Sequence, residues 1–336
     1  MPSAFGRESM TNTMLSIGVV IPCYKVGEHL ARVVSRVGHE VNRIYIVDDC
    51  CPDGSVDQFR NICVDSRVMF LKTQQNLGVG GAVLRGYEEA LLEKLDVVVK
   101  IDGDGQMDPE LIGSFISPII QGQADYTKGN RFYDIEGLAG MPLLRVLGNA
   151  TLSLFSKLSS GYWNLFDPTN GYTAIHVEVL KLLPLSKISK DYFFESDMLF
   201  RLNTIRASVI DIPMKAVYRN EVSNLKITSI FMPFIFKHLK NSVKRIIYNY
   251  YLRDMSVASF ELLIGCFMLG FGLFYGAIEW GASMRTEIPA TAGKVMLSAL
   301  PLILGMQLLL SFLSYDVYAT PNRPIHSRRL LEKAHF

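Results

Sequence analysis

An excess of charge of either sign is what this sequence most plainly lacks: 34 Lys and Arg residues stand against 32 Asp and Glu, for a formal net charge of +2. With no arginine-rich stretch either, this balance excludes a nucleic-acid-binding class. Cysteine is also scarce, with five residues, Cys23, Cys50, Cys51, Cys63 and Cys266. Their number is odd, none has metal-ligand spacing, and adjacent Cys50 and Cys51 are poorly placed to bridge. Reduced thiols in a cytosolic compartment are expected instead of a disulfide framework. Residues 1–14 contain no apolar core, so no signal peptide is expected there. Nothing repeats internally and no segment is low in complexity. No Gly-x-Gly-x-x-Gly follows the first apolar run, which excludes a dinucleotide oxidoreductase.

What is present is unevenly distributed. The 336 residues suffice for one large or two ordinary domains, and 49% of them are hydrophobic. Short apolar runs alternate with polar turns before residue 225, whereas the chain is almost continuously apolar after 256. Ile17–Ile21, Ile44–Val47, Val68–Leu71 and Val97–Ile101 are short, β-branched runs. The helical patterns 27–39, 54–64 and 79–94 separate them. This alternation predicts a Rossmann-like α/β domain over 15–225, with a mostly parallel sheet and helices on both faces. Ligands then bind beyond the carboxyl ends of the strands, where Tyr24, Asp48, Asp49, Asn76, Asp102 and Asp104 collect.

Over 226–254 the apolar residues 227, 230, 231, 234, 235, 239, 243, 246, 247 and 250 keep helical spacing. Lys237, Lys240 and Lys244 occupy another face, joined by Arg245 and Arg253. A basic amphipathic helix just ahead of an apolar stretch predicts placement on an anionic membrane surface. Residues 257–278 carry a single charge, Glu261, and 295–313 carry none. Each run is long enough for a bilayer core of ~30 Å, so 255–316 is expected to form a two-helix transmembrane hairpin. Basic residues precede the first span, and Arg323, Arg328, Arg329 and Lys333 follow the second, in a tail over 317–336. Both flanks, and the catalytic domain with them, are therefore expected on the cytoplasmic side, with 279–294 as a short external connection. Such a hairpin could also pack with copies of itself into a homo-oligomer.

Asp102-Gly103-Asp104 with Gln106, directly after an apolar strand, is the strongest local signal for chemistry. Two carboxylates one residue apart can reach a hard cation, and an amide oxygen can add a third ligand. Mg²⁺ or Mn²⁺ at Asp102, Asp104 and Gln106 would neutralise charge growing on a leaving diphosphate. Asp48 and Asp49 end the second strand, where a carboxylate can accept from a base N–H or a ribose hydroxyl. Asp53 or Ser55 could cap the next helix at the same time, because capping uses the later residues. The glycines of Asn76–Ala82 permit close backbone approach to a ligand at a helix N-terminus.

In order and spacing these motifs resemble glycosyltransferase family 2, and within it the polyprenyl-phosphate glycosyltransferases. The resemblance takes in Val20-Ile21-Pro22-Cys23-Tyr24, Val47-Asp48-Asp49, Asn76–Ala82, Asp102–Gln106 and Asp108-Pro109-Glu110. It continues through Gly129-Asn130-Arg131-Phe132, Asp167–Tyr172 and Glu195-Ser196-Asp197. It implies a GT-A fold and metal-dependent, inverting transfer of a sugar from a nucleotide-sugar donor to a polyprenyl phosphate. It further implies that Asp102, Asp104 and Gln106 hold the metal. Pro22, Tyr24 and Asp49 would line the nucleotide site, with Asp48 beside them. Arg131 and Arg145 match family arginines that grip the acceptor phosphate, and Asn149 falls at an acceptor position; guanidinium forks suit a phosphate dianion. Glu195 and Asp197 sit where many relatives place a catalytic base, although an ionised phosphate attacks without losing a proton. Lys25-Val26 and the turn Cys50–Ser55 depart from the family pattern, weakening GDP-mannose as the donor and keeping a UDP-sugar open. Trp163 and Trp280 are the only tryptophans. Neither lies in the Gln-x-x-Arg-Trp context of processive membrane glycosyltransferases. A hydroxyl acceptor and a non-catalytic nucleotide-sugar-binding membrane protein are the remaining alternatives.

Overall fold

A computed structural model describes residues 15–27, 29–133, 143–215 and 227–327. Seven strands form one sheet: β1 (Ile17–Cys23), β2 (Arg43–Asp48), β3 (Val68–Lys72), β4 (Val97–Lys100), β5 (Tyr126–Asn130), β6 (Thr173–His176) and β7 (Val209–Pro213), in the order β3-β2-β1-β4-β6-β5-β7. Only β6 runs against its neighbours, between β4 and β5. The mostly parallel sheet expected from the sequence is thus present, with one reversed strand inserted. Strand β6 is four residues long and has no alternating apolar pattern that would disclose it.

Alternation of side chains across each strand builds two cores. Val20, Tyr45, Val47 and Val98 face α3 (Val79–Leu92) and a later helix carrying Phe194, Met198 and Leu202. Val19, Ile21, Ile44 and Ile46 face α1 (His29–Ser35), α2 (Ser55–Ile62) and α4 (Ile112–Ile120). Between β1 and its two neighbours, β2 and β4, the chain switches direction across the sheet, and this is the crevice such sheets use for ligands.

Helices α5 (Leu143–Ser160), α6 (Val177–Leu180) and α7 (Phe194–Thr204) complete this unit. Then α8 (Ile227–Ile247) leads through a π-helical turn, Tyr248–Arg253, into α9 (Val257–Thr286) and α10 (Ala292–Tyr318). The last two are long and apolar enough to cross a membrane and bury little of their surface. They pack on small residues: a Cβ on Gly305 would lie 2.8 Å from Leu269 N and 3.0 Å from Gly265 O. Along α8, Met232, Phe236, Leu239, Val243 and Ile247 form an exposed apolar stripe.

A buried carboxylate fastens these parts together. Asp316, near the end of α10, accepts from both terminal nitrogens of Arg245 (2.6 and 2.9 Å), from Tyr250 Oη (2.5 Å) and from Trp163 Nε1 (2.9 Å). Beyond α10 the chain returns to the sheet, where Asp125 accepts the backbone N–H groups of Ile325 and His326. All five cysteines are free thiols, as their spacing predicted.

Candidate active site

A cleft of about 380 Å³ opens beyond the carboxyl ends of β1, β2 and β4. Pro22, Tyr24, Asp49, Asn76, Asp102 and Asp104 line it, so the structure brings together six residues that the sequence singled out. The opposite wall, Asp191 and Tyr192, gave no such signal, because these residues lie in a loop far along the chain.

Asp49 shapes the cleft as well as lining it. Its Oδ1 accepts from Leu77 N (2.8 Å) and Thr73 Oγ1 (2.9 Å), and its Oδ2 accepts from Gly78 N (2.8 Å). The carboxylate thus holds the glycine loop at the start of α3. That loop needs its glycines: Gly78 has φ +82°, and a Cβ on Gly80 would lie 2.6 Å from Ser189 O. The Ser189–Tyr192 segment is pressed directly on the loop, and Gly81 N donates to Lys190 O. Asp48 is turned elsewhere, accepting from Cys51 N (2.8 Å) and pairing with Lys72 at 3.2 Å; it does not line the cleft. Asp53 Oδ1 accepts from Ser55 N in the turn before α2, but the N-cap is Gly54 and has no side-chain cap, so neither Asp53 nor Ser55 takes the capping position expected from sequence.

Lys100 organises the acid pair from beneath. This wholly buried lysine lies 2.9 Å from Asp102 Oδ1 and 2.9 Å from Glu195 Oε1. Burial lowers its proton affinity, but the two carboxylates outweigh that and raise it above the ordinary lysine value. A Cβ on Gly171 would come 2.5 Å from Lys100 Nζ and 2.6 Å from Asp102 Oδ2, so the Asn170-Gly171-Tyr172 segment lies flat on this pair. Asp104 Oδ1 accepts from Gln106 N (2.9 Å), turning the chain sharply after β4. Gln106 itself does not line the cleft. Among the described residues there is no group of three or more His, Cys, Asp or Glu that could cage a metal. Two cleft-facing carboxylates fit a hard cation whose remaining ligands are substrate phosphates and water.

Arg131 follows β5 in a turn made by Asn130, whose Oδ1 accepts from Phe132 N. The Arg131 guanidinium meets Asp167 at two points, Nε–Oδ2 2.7 Å and Nη2–Oδ1 3.1 Å. Burial works against ionisation of Asp167, but Arg131 holds its carboxyl below the usual range. Arg145 and Asn149 are carried on α5, and their side chains lie outside the described residues. Both oxygens of Asp197 are engaged: Oδ2 accepts from Ser189 N (2.9 Å) and Arg201 Nε (3.0 Å), and Oδ1 from Asn241 Nδ2 (3.0 Å) on α8.

A second lysine escaped the sequence reading. Lys100, Thr173, Lys128 and Asp211 are register partners across β4, β6, β5 and β7. Among the described residues, Lys128 Nζ and Asp211 Oδ1 are buried without a hydrogen-bond partner. Burial pulls Lys128 down to about 8, against Asp167, Asp211 and Glu195 nearby. No alternation in the sequence marks the two lysines, because every residue of β4 and β5 is buried, on both faces of the sheet.

A twisted α/β sheet with an acid pair at a strand end, facing a glycine loop across a cleft, defines a GT-A-type glycosyltransferase. Comparison with known proteins agrees, and the chain belongs to glycosyltransferase family 2. The family model "Glycosyl transferase family 2" matches residues 18–183. A polyprenol monophosphomannose synthase of Mycolicibacterium smegmatis is 31% identical over 58% of this chain and 75% of its own. An undecaprenyl-phosphate mannosyltransferase of Micrococcus luteus is 30% identical over 60% and 83%. The UDP-N-acetylglucosamine–dolichyl-phosphate N-acetylglucosaminyltransferase of Methanococcus voltae is 29% identical over 65% and 92%. Among solved structures, glucosyl-3-phosphoglycerate synthase from Mycobacterium tuberculosis, in complex with Mn²⁺, UDP and glucosyl-3-phosphoglycerate, shares the fold. It has a TM-score of 0.51 and 17% identity, over 69% of this chain and 80% of that one.

Proposed function

We propose that this enzyme transfers a sugar, with inversion, from a UDP- or GDP-sugar to a polyprenyl phosphate at the cytoplasmic face of a membrane. The single observation that carries the reading is the pair Asp102 and Asp104, side by side in the cleft at the end of β4, in a chain that continues into two long apolar helices. The three relatives act, by their names, on polyprenol, undecaprenyl or dolichyl phosphate.

In this reading Pro22, Tyr24, Asp49 and Asn76 bind the nucleotide, and the glycine loop approaches the diphosphate. Asp102 and Asp104 are the residues that would hold Mg²⁺ or Mn²⁺; Gln106, expected from the sequence as a third ligand, lies off the cleft wall. Bound there, the cation supplies counter-charge to the departing diphosphate. Lys100 fixes Asp102 in place, and Arg131 with Arg145 and Asn149 orients the acceptor phosphate. An acceptor oxygen forms the new bond to the anomeric carbon while the bond to the diphosphate breaks on the opposite face. No proton has to be removed, because the phosphate is already ionised at neutral pH. This suits the commitments of the two acids at the base position: Glu195 accepts from Lys100, and Asp197 holds Ser189, Arg201 and Asn241. The exposed apolar stripe of α8 would lie on the bilayer surface beside α9 and α10.

The test incubates full-length protein with Mg²⁺ or Mn²⁺, undecaprenyl phosphate and a panel of labelled UDP- and GDP-sugars. The expected product is a lipid-extractable sugar phosphate with the anomeric configuration opposite to the donor's, lost on chelation. Product formation undiminished by chelation, or transfer only to hydroxyl acceptors, would defeat the proposal.

A further inference from the structure

Between α7 and the end of α8 lies a groove of about 490 Å³ that no step of the proposed reaction uses. Phe200, Ile247 and Leu252 give it an apolar floor, and Lys187, Arg201 and Lys244 stand around it. Among the described residues no carboxylate lines it. Lys187 and Lys244 have no acidic partner among the described residues, and both side chains are exposed. Arg201 is different: its Nε is held by Asp197 and its Nη2 donates to Lys187 O. That contact locks the Arg201 guanidinium to the turn carrying Lys187, so these cations are presented on a built scaffold.

The position of the groove is as informative as its charge. Leu252, 73% exposed, lies just ahead of Ser256, the N-cap of the first long apolar helix. Ile247 closes the exposed apolar stripe of α8. The groove therefore continues the stripe at the depth where lipid headgroups would sit. An occupant has to present negative charge toward Lys187, Arg201 and Lys244 and hydrocarbon toward Phe200, Ile247 and Leu252. We infer that this groove binds one anionic phospholipid of the surrounding bilayer, its phosphate among the three cations and its upper acyl chain on the apolar floor. The inference rests on the membrane placement proposed above. Arg201 also gives it a route to the donor cleft, since Asp197 bonds both Arg201 and the backbone of Ser189, and the segment from Ser189 carries the cleft-lining Asp191 and Tyr192.

The experiment places the full-length protein in nanodiscs of phosphatidylcholine in which about a third of the lipid is phosphatidylglycerol, then counts retained lipid by native mass spectrometry. One phosphatidylglycerol per wild-type chain is expected. In the Lys187→Gln/Lys244→Gln double variant its affinity should fall about thirtyfold, the share of two juxtamembrane cations, with the melting temperature unchanged because both side chains are exposed. Lys240→Gln, on the same helix but outside the groove, should retain the lipid. Equal retention in the double variant, equal loss in Lys240→Gln, or displacement of the lipid by inorganic phosphate would each overturn the site. Protein that remains in the aqueous fraction without detergent would overturn the membrane placement itself. Membrane-bound protein that retains no phosphatidylglycerol would overturn the groove alone.

Discussion

Arg131 and Asp167 face each other as fork and carboxylate, with contacts of 2.7 and 3.1 Å and the Arg131 backbone N–H on the same acid. Asp167 thereby aims the guanidinium that the proposed reaction uses on its acceptor. Arg131→Lys keeps the charge but loses the planar fork. Its kcat/KM for polyprenyl phosphate should fall about fiftyfold, the worth of charged hydrogen bonds lost from one group, with the KM for nucleotide-sugar unmoved. An unchanged acceptor term in steady-state kinetics would remove Arg131 from the acceptor site.

Lys128 supplies a prediction about stability. Its ammonium is wholly buried and has no hydrogen-bond partner among the described residues, beside an Asp211 Oδ1 in the same position. Burying an ammonium that lacks a hydrogen-bond partner costs several kcal/mol, and a Met of similar length removes that cost while Asp211 keeps its donors Phe166 N and Asn130 Nδ2. Lys128→Met should therefore melt several degrees above wild type near neutral pH. The sign with pH follows from a folded-state value of about 8, below that of an unfolded lysine. The penalty is complete below pH 8 and relieved as pH rises toward the ordinary lysine range. The advantage of Lys128→Met should shrink over that interval, and a constant difference in melting temperature would contradict it.

Gly80 tests the wall of the donor cleft. A methyl group there would meet Ser189 O at 2.6 Å and Phe194 Cβ at 2.8 Å, and neither the carbonyl nor a Cβ on a packed helix can rotate away. Gly80→Ala should displace the segment that carries Asp191 and Tyr192. Misplacing a substrate-positioning group by about 1 Å can cost about a hundredfold, so the smaller shift forced here should raise donor KM about tenfold while acceptor KM stays constant. Equal effects on both substrates would point to general destabilisation.

Much of this architecture was legible from residue patterns, for identifiable reasons. The four parallel strands announce themselves because buried strands of such sheets are continuous apolar runs, and Asp102 and Asp104 stand out by following one directly. The long helices α9 and α10 are visible because each is a long apolar run, of the length and composition that can cross a bilayer. What the chain hides depends on contacts between distant segments. Asp197 reads as a base until Asn241, 44 positions later, is found on its Oδ1. Lys100 and Lys128 read as ordinary strand residues until the register of β4, β6 and β5 aligns them. Asp48 and Asp49 are neighbours in sequence, yet only Asp49 faces the cleft, because successive side chains leave the strand end in opposite directions.

Two imidazoles make the fold sensitive to mild acid. Burial, and the stacked ring of His326, hold His176 down to about 4, with Asp96, Asp125 and Glu178 pulling the other way. Burial alone holds His238 down to about 4, where Ser159 Oγ and the rings of Phe193 and Phe234 surround it. Both are neutral in the folded chain and charge more readily once it unfolds, so the unfolded state binds more protons between about pH 6.5 and 4. Stability is therefore complete above pH 6.5 and falls as pH drops through that window, by roughly a kcal/mol per pH unit for each ring. Asn in place of His176 keeps an acceptor for Glu178 N, and Gln in place of His238 keeps a partner for Ser159, but neither can titrate there. Thermal melts of the His176→Asn/His238→Gln protein should accordingly lose less stability between pH 6.5 and 4.5 than those of wild type, and parallel curves would show that these rings do not set the acid limit.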